Sequence, residues 1–166
     1  MKDNIVLIGM PGCGKSSLGV VLAKALGYRF IDSDLLIQER EGRLLSQIIE
    51  EEGLEGFEKI EEEVNASIEA EKTVIATGGS VIYGPTAMKH LKEIADVIYL
   101  KLPYEEIAER LGDLNQRGVA VHPGQTLADL YDERVPLYEK YAGLTVDVYG
   151  MDIRNSVAEV IRQLGL

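Results

Sequence analysis

The chain has 166 residues and carries 17 Lys and Arg against 28 Asp and Glu, a formal net charge of −11. That balance leaves no basic surface for a nucleic-acid backbone, and the length suits one domain around one core. No stretch approaches the ~20 apolar residues of a membrane span, the start lacks a signal peptide's apolar segment, and the lone cysteine, Cys13, has no internal partner, so a cytoplasmic protein is expected.

The first predicted element is a strand over Ile5–Ile8, an unbroken aliphatic run suited to burial on both faces. It leads into Gly9-Met10-Pro11-Gly12-Cys13-Gly14-Lys15-Ser16 and then into an amphipathic pattern that predicts a helix over Ser16–Leu26. Strand, glycine-rich octet and helix in that order form the context of a phosphate-binding loop, where backbone N–H groups and a helix N-terminus converge on a polyphosphate. Lys15 is placed to reach the β- and γ-phosphates and the Ser16 hydroxyl to ligate Mg²⁺. A nucleoside triphosphate is therefore expected on Gly9, Gly12, Cys13, Gly14, Lys15, Ser16 and Ser17. Cys13 reads as a small residue that the turn accommodates, not as a nucleophile.

A second strand, Arg29–Ile31, ends in Asp32-Ser33-Asp34, at the sheet edge where ligands of parallel sheets bind. One carboxylate can hold Mg²⁺ through water while the other orients or deprotonates a substrate hydroxyl; either also suits the N-cap of a helix predicted over Leu35–Glu41. Helices over Leu44–Glu52 and Leu54–Glu71 carry the acidic runs Glu50-Glu51-Glu52 and Glu61-Glu62-Glu63 as solvated faces. The strand Thr73–Ala76 runs into Thr77-Gly78-Gly79-Ser80, where adjacent glycines either admit a ligand to the backbone or simply turn the chain. A helix over Pro85–Leu91, a strand over Val97–Leu100 and a helix over Tyr104–Leu111 follow.

From Gly112 to Gln125 glycines and Pro123 interrupt every periodicity, which predicts a mobile flap. Arg117 on that flap is a candidate to stabilise a transferring phosphoryl group, with Arg110 and Arg134 nearby, each also open to a plain surface role. A helix over Leu127–Tyr141, a strand over Leu144–Val148 and a helix over Ile153–Leu164 complete the chain. The alternation predicts an α/β class, a three-layer α/β/α domain on a five-stranded parallel sheet.

As a set, these residues resemble the shikimate kinase family of small P-loop kinases over nearly the whole chain. The matching features are Gly9 to Ser16, Asp32-Ser33-Asp34, Phe57 with Glu61, Thr77-Gly78-Gly79, Arg110, Arg117, and Arg134 within Glu133-Arg134-Val135-Pro136-Leu137-Tyr138. The resemblance implies a single P-loop kinase domain over residues 1–166 with a lid at about 112–125, using ATP and Mg²⁺. It implies that Lys15 and Ser16 hold phosphate and metal, with Asp32 in the metal's outer shell, and that Asp34 activates the acceptor hydroxyl. Arg110 and Arg154 would contact adenine, Arg117 would act from the lid, and Arg134 would pair with a substrate carboxylate, beside Phe57, Gly78, Gly79 and Ser80. The expected partner is a small hydroxylated carboxylate, with no nucleic acid and no membrane, and the expected state is a monomer.

The departures fall on the acceptor side. Glu58 stands where the family has an arginine that shares the carboxylate grip with Arg134, and Ser80 where the family has a third glycine. The lid reads Arg117-Gly118 in place of Arg-Pro, followed by Val119-Ala120-Val121-His122-Pro123. The resemblance implies phosphorylation of shikimate to shikimate 3-phosphate in aromatic amino-acid biosynthesis. If Glu58 enters the pocket, an acceptor with both a carboxylate and an ammonium, such as homoserine, is the alternative; if it faces solvent, that alternative falls. A nucleoside monophosphate kinase shares the loop and is the further alternative, against which the Asp32/Asp34 pair and the Gly78-Gly79 edge stand. No role is assigned to His90 or His122.

Overall fold

The aliphatic runs become five strands: β1 (Asn4–Ile8), β2 (Arg29–Asp32), β3 (Thr73–Ala76), β4 (Ala95–Lys101) and β5 (Leu144–Asp147). Between them lie α1 (Lys15–Leu26), α2 (Ser33–Glu41), α3 (Leu45–Ala66), α4 (Pro85–Ile94), α5 (Tyr104–Leu111), α6 (Leu127–Tyr141) and α7 (Ile153–Leu164). The coordinates are a computed structural model that describes residues 2–112, 119 and 121–166. All strand pairs are parallel, in the order β2-β3-β1-β4-β5. β1 is central and buried along its whole length, as its unbroken apolar run requires.

Helix α1 packs over β3 and β2 and against α7, while α3 packs against α4. Right-handed crossovers in this strand order put α1 and α7 on one face and α3 and α4 on the other, giving the three layers. The buried Asn4 ties the sheet's lower edge together: its Nδ2 donates to the carbonyls of Ala70 and Ile94, and its Oδ1 accepts from the Thr73 N–H. A smaller apolar cluster of Ile37, Ile48, Phe57 and Val64 sits between α2 and α3, apart from the main core. It gives the α2–α3 unit its own support beside the sheet.

Leu7 pairs with Ala76, and Ala76 with Asp32, so β1, β3 and β2 end at one level. The glycine-rich loop, the Asp32–Asp34 segment and Thr77-Gly78-Gly79 therefore leave the sheet at one edge, next to the point where strand order reverses.

Element boundaries differ from expectation where side chains cap. α2 starts at Ser33, two residues early, because the Asp32 carboxylate accepts from the Asp34 N–H. The two helices expected over Leu44–Glu52 and Leu54–Glu71 form one element broken at Gly53, whose φ of 74° and ψ of 176° are not helical. It stops at Ala66 and not at Glu71: the Ser67 hydroxyl takes the Val64 carbonyl, and Ala70 is drawn to Asn4. A 3₁₀ turn over Val81–Tyr83 was not expected, and α4 continues three residues further, to Ile94. Among the described residues no helix is long and apolar enough to cross a membrane.

Candidate active site

The loop after β1 is shaped by its glycines. Gly9 has φ 151°, and a Cβ there would lie 2.9 Å from both the Leu100 carbonyl and Cys13 Sγ. Gly14 is the N-cap of α1 with φ 95°, in the left-handed region that glycine enters without penalty. Lys15, the first residue of α1, is buried, and its Nζ donates to the carbonyls of Gly9 at 2.8 Å and Met10 at 2.9 Å. The ammonium thus spans the loop from within, holding its curvature while the free N–H groups at the start of α1 face the cavity.

Ser16 and Asp32 meet across the loop, the serine hydroxyl donating to Asp32 Oδ2 at 2.8 Å. The other Asp32 oxygen accepts from the Asp34 N–H at 3.0 Å. Asp32 is therefore both the helix cap and the hydroxyl's partner, so the capping and metal-side readings of the sequence coexist. Hydroxyl and carboxylate oxygens side by side, at the end of a phosphate-binding loop, are the hard donors that Mg²⁺ takes when phosphates and water supply the rest. Asp34 faces the cavity, and burial, reinforced by the Asp32 charge and opposed by Lys15, pushes its carboxyl up to about 6.

The segment after β3 closes the other side. An added Cβ at Gly78 would come within 2.7 Å of Asp34 Oδ1 and 3.0 Å of Glu61 Oε2. One at Gly79 would lie 2.7 Å from Pro11 Cδ and 2.9 Å from Arg134 Nη1. The glycines are thus the pivot at which the phosphate loop, both carboxyls and the arginine approach one another. Tyr138, stacked on Tyr99 at 5.2 Å between centroids, fixes this backbone by donating to the Gly79 carbonyl at 2.6 Å. Arg134, one residue-turn earlier on α6, is 1% exposed. Its Nε donates to the Tyr83 hydroxyl at 3.4 Å, its guanidinium lies 5.4 Å from that ring's centre, and Tyr83 in turn donates to Glu133.

Glu61, named beside Phe57 in the sequence but given no role in the site, lines the cavity. It is 2% exposed, its Oε1 accepts from Ser80 Oγ at 2.7 Å, and burial pushes its carboxyl up to about 8. The signal was present in the spacing: Phe57 and Glu61, four apart on α3, share one helix face, so the burial of the first carries the second inward. Read within Glu61-Glu62-Glu63, however, Glu61 looked like part of a solvated face.

A cavity of about 270 Å³ collects most of the expected residues. Gly12, Gly14, Lys15, Ser16 and Ser17 line the nucleotide half; Asp34, Phe57, Gly78, Gly79, Ser80 and Arg134 line the acceptor half, together with Glu61. Gly9 and Cys13 lie behind the loop, Cys13 buried with Sγ 3.7 Å from Lys15 Nζ. Arg110 reaches the loop from α5, donating to the Gly12 carbonyl at 3.4 Å and pairing with Glu106. Arg154 is exposed in the first turn of α7, beyond β5. Arg117 lies outside the described residues.

Glu58, expected beside the substrate, lies within electrostatic reach of Arg134 and His122. It is half-buried on α3 and is not among the residues lining the cavity. Burial raises its carboxyl, while His122 and Arg134 lower it. It therefore stands beside the site, one helical position away from the face that Phe57 and Glu61 present.

Comparison with known proteins agrees with this geometry. The family model described as shikimate kinase matches residues 11–165. A shikimate kinase of Clostridium botulinum is 37% identical over 161 residues, spanning 96% of this chain and 96% of that protein. Among solved structures, shikimate kinase from Acinetobacter baumannii in complex with shikimate superposes with a TM-score of 0.87 at 33% identity, covering 99% of this chain and 93% of the other. Shikimate kinase from Aquifex aeolicus superposes with a TM-score of 0.83 at 31% identity, over 98% of this chain and 96% of that one.

Proposed function

The chain belongs to the shikimate kinase family, and on that footing we propose that it transfers the γ-phosphoryl group of ATP to the 3-hydroxyl of shikimate, with Asp34 as the group that orients the hydroxyl and takes its proton. The observation that carries this reading is the convergence of Lys15, Asp34 and Arg134 on one cavity at the end of β1, β2 and β3. In the transfer, a bond forms between the acceptor oxygen and γ-phosphorus, the bond to the bridging oxygen breaks, ADP leaves, and the acceptor proton passes to Asp34. The protein's part is positioning and charge neutralisation.

Lys15 and the α1 N-terminus bind the triphosphate, and Arg134 binds the acceptor's carboxylate. Burial keeps Arg134 poorly hydrated, which strengthens a charge-assisted contact. Ser16 and Asp32 would hold Mg²⁺, which supplies charge neutralisation on the phosphates. Arg110 would lie along the adenine side, with Arg154 beyond it. The whole chain would act as one kinase domain, a cytoplasmic monomer with a lid at about 112–125; Arg117, on that lid, would meet the transferring phosphoryl group.

Similarity to shikimate kinases, one of them solved with shikimate, supports shikimate over an amino-acid acceptor such as homoserine. The test is a coupled ADP-release assay with Mg·ATP on shikimate. Turnover is expected, and Asp34→Asn is expected to lower kcat by about 10²–10⁴-fold, the usual worth of general-base catalysis. Absence of turnover on shikimate by protein that still binds ATP would refute the assignment.

A further inference from the structure

Arg134 is buried, and a buried guanidinium has to find partners for its N–H groups and its charge. Part of that service falls to a tyrosine. Arg134 Nε donates to the Tyr83 hydroxyl at 3.4 Å, and the guanidinium carbon lies over the Tyr83 ring, 5.4 Å from its centre. A phenol has one proton, and Tyr83 gives it to Glu133 Oε1 at 2.5 Å. The other Glu133 oxygen accepts from Gln125 Nε2 at 3.0 Å, and Gln125 Oε1 accepts from the His122 N–H at 3.2 Å, so the carboxylate is itself held in place. With its proton committed to Glu133, the Tyr83 oxygen turns only lone pairs toward Arg134, and a hydroxyl that donates to an anion is the stronger acceptor for it. The phenol also keeps two charges apart. A carboxylate set directly on Arg134 would occupy the forked N–H edge by which a guanidinium grips a carboxylate ligand. Tyr83 engages Nε instead, while Nη1 lies 2.9 Å from where a Gly79 Cβ would stand, in the acceptor half of the cavity.

We propose that Tyr83 is a positioning residue for Arg134: its hydroxyl, polarised by Glu133, holds the Nε side of the guanidinium so that the Nη side is presented to the acceptor's carboxylate. This inference rests on the shikimate reading above. Tyr83 ends the 3₁₀ turn that follows Gly78-Gly79-Ser80, and Glu133 precedes Arg134 on α6, so the hydroxyl joins the two segments that carry the acceptor half of the cavity.

The test reads kcat and both KM values for Tyr83→Phe, Glu133→Ala and the double variant, once the wild-type chain has turned over shikimate. Tyr83→Phe keeps the ring at the guanidinium and removes only the hydroxyl. It is expected to raise the shikimate KM about fivefold, the net worth of one hydrogen bond, with kcat and the ATP KM within about twofold of wild type; a merely structural role would not single out one KM. The bare charge of Glu133 acts alike in both backgrounds, so its action through the hydroxyl shows as a difference between them. Glu133→Ala should raise the shikimate KM at least about threefold more in the wild-type background than in the Tyr83→Phe background. A wild-type shikimate KM in Tyr83→Phe, an equal rise in its ATP KM, or a Glu133→Ala effect that is the same in both backgrounds would overturn the role. A wild-type chain that does not turn over shikimate overturns the acceptor assignment and this inference with it, an outcome separable from the others because it precedes any substitution.

Discussion

Adding one methyl group at Gly79 tests whether the nucleotide and acceptor halves share a mechanical joint. An ideal Cβ there lies 2.7 and 2.9 Å from Pro11 Cδ and Cγ and 2.9 Å from Arg134 Nη1, against the ~3.5–4.0 Å at which non-bonded carbons are comfortable. Neither neighbour yields freely. Pro11 belongs to the loop that Lys15 clamps through Gly9 and Met10, and Arg134 is buried against Tyr83. Overpacking of this kind costs about 1–3 kcal/mol, or roughly 5- to 150-fold in an equilibrium constant. Gly79→Ala is therefore expected to raise the KM for ATP and for shikimate together in a coupled ADP-release assay. Gly78→Ala makes the contrast: its Cβ meets Asp34 Oδ1 at 2.7 Å and Glu61 Oε2 at 3.0 Å. Displacing the Asp34 carboxyl should cut kcat at least about tenfold, the range expected when a base loses its alignment, and leave the ATP KM in place. A Gly79→Ala enzyme with both KM values unchanged, or a Gly78→Ala enzyme that loses ATP affinity and keeps kcat, would refute the placement of these glycines as the joint.

Three further outcomes follow from the electrostatics. Asp34 takes a proton only as carboxylate, and burial raises it to about 6, so kcat/KM for shikimate should rise with pH through about 6 and level above it; a profile flat from pH 5 to 7 would sink its role as base. Glu61, raised to about 8 in the folded chain from an ordinary 4.5, binds its proton more tightly folded than unfolded, so its effect on stability is harmless at pH 4 and increasingly unfavourable between about 4.5 and 8. Thermal melts of Glu61→Gln should therefore gain on wild type as pH rises from 5 to 8, and a constant difference would contradict the shift. Glu58→Arg replaces a carboxylate with a guanidinium beside Arg134 and is expected to lower the shikimate KM by about fivefold or more, the worth of a partly exposed charge-assisted contact; a raised KM would show that position 58 has no access to the acceptor's carboxylate.

The sheet and the phosphate loop were legible because each rests on a local signal. Ile5–Ile8 is apolar throughout, and Gly9 to Ser16 combines residue types with a spacing that few other structures use. Asp32 and Asp34 were legible as a pair, but the dual service of Asp32, capping α2 with one oxygen and receiving Ser16 with the other, is a fact of tertiary placement. Glu61, buried, and Glu58, half-buried, could not be told apart in the sequence for a related reason. Both sit in an acidic helix, and only the phase set by Phe57 against Ile37 and Ile48 decides which one turns inward. Gly53 contributes to that phase by breaking α3 ahead of Phe57, and a sequence pattern cannot supply the resulting angle. The extension of α3 to Glu71 failed because Asn4, distant in the chain, competes for the Ala70 carbonyl.

The carboxyls at 58 and 61, three residues apart on α3, share one cation: Arg134 lowers both while burial raises them. Glu61 also receives a neutral hydroxyl from Ser80. Burial raises the Glu61 carboxyl to about 8. Arg134, buried in the acceptor half of the cavity, is the cation against which both of these α3 carboxyls are balanced.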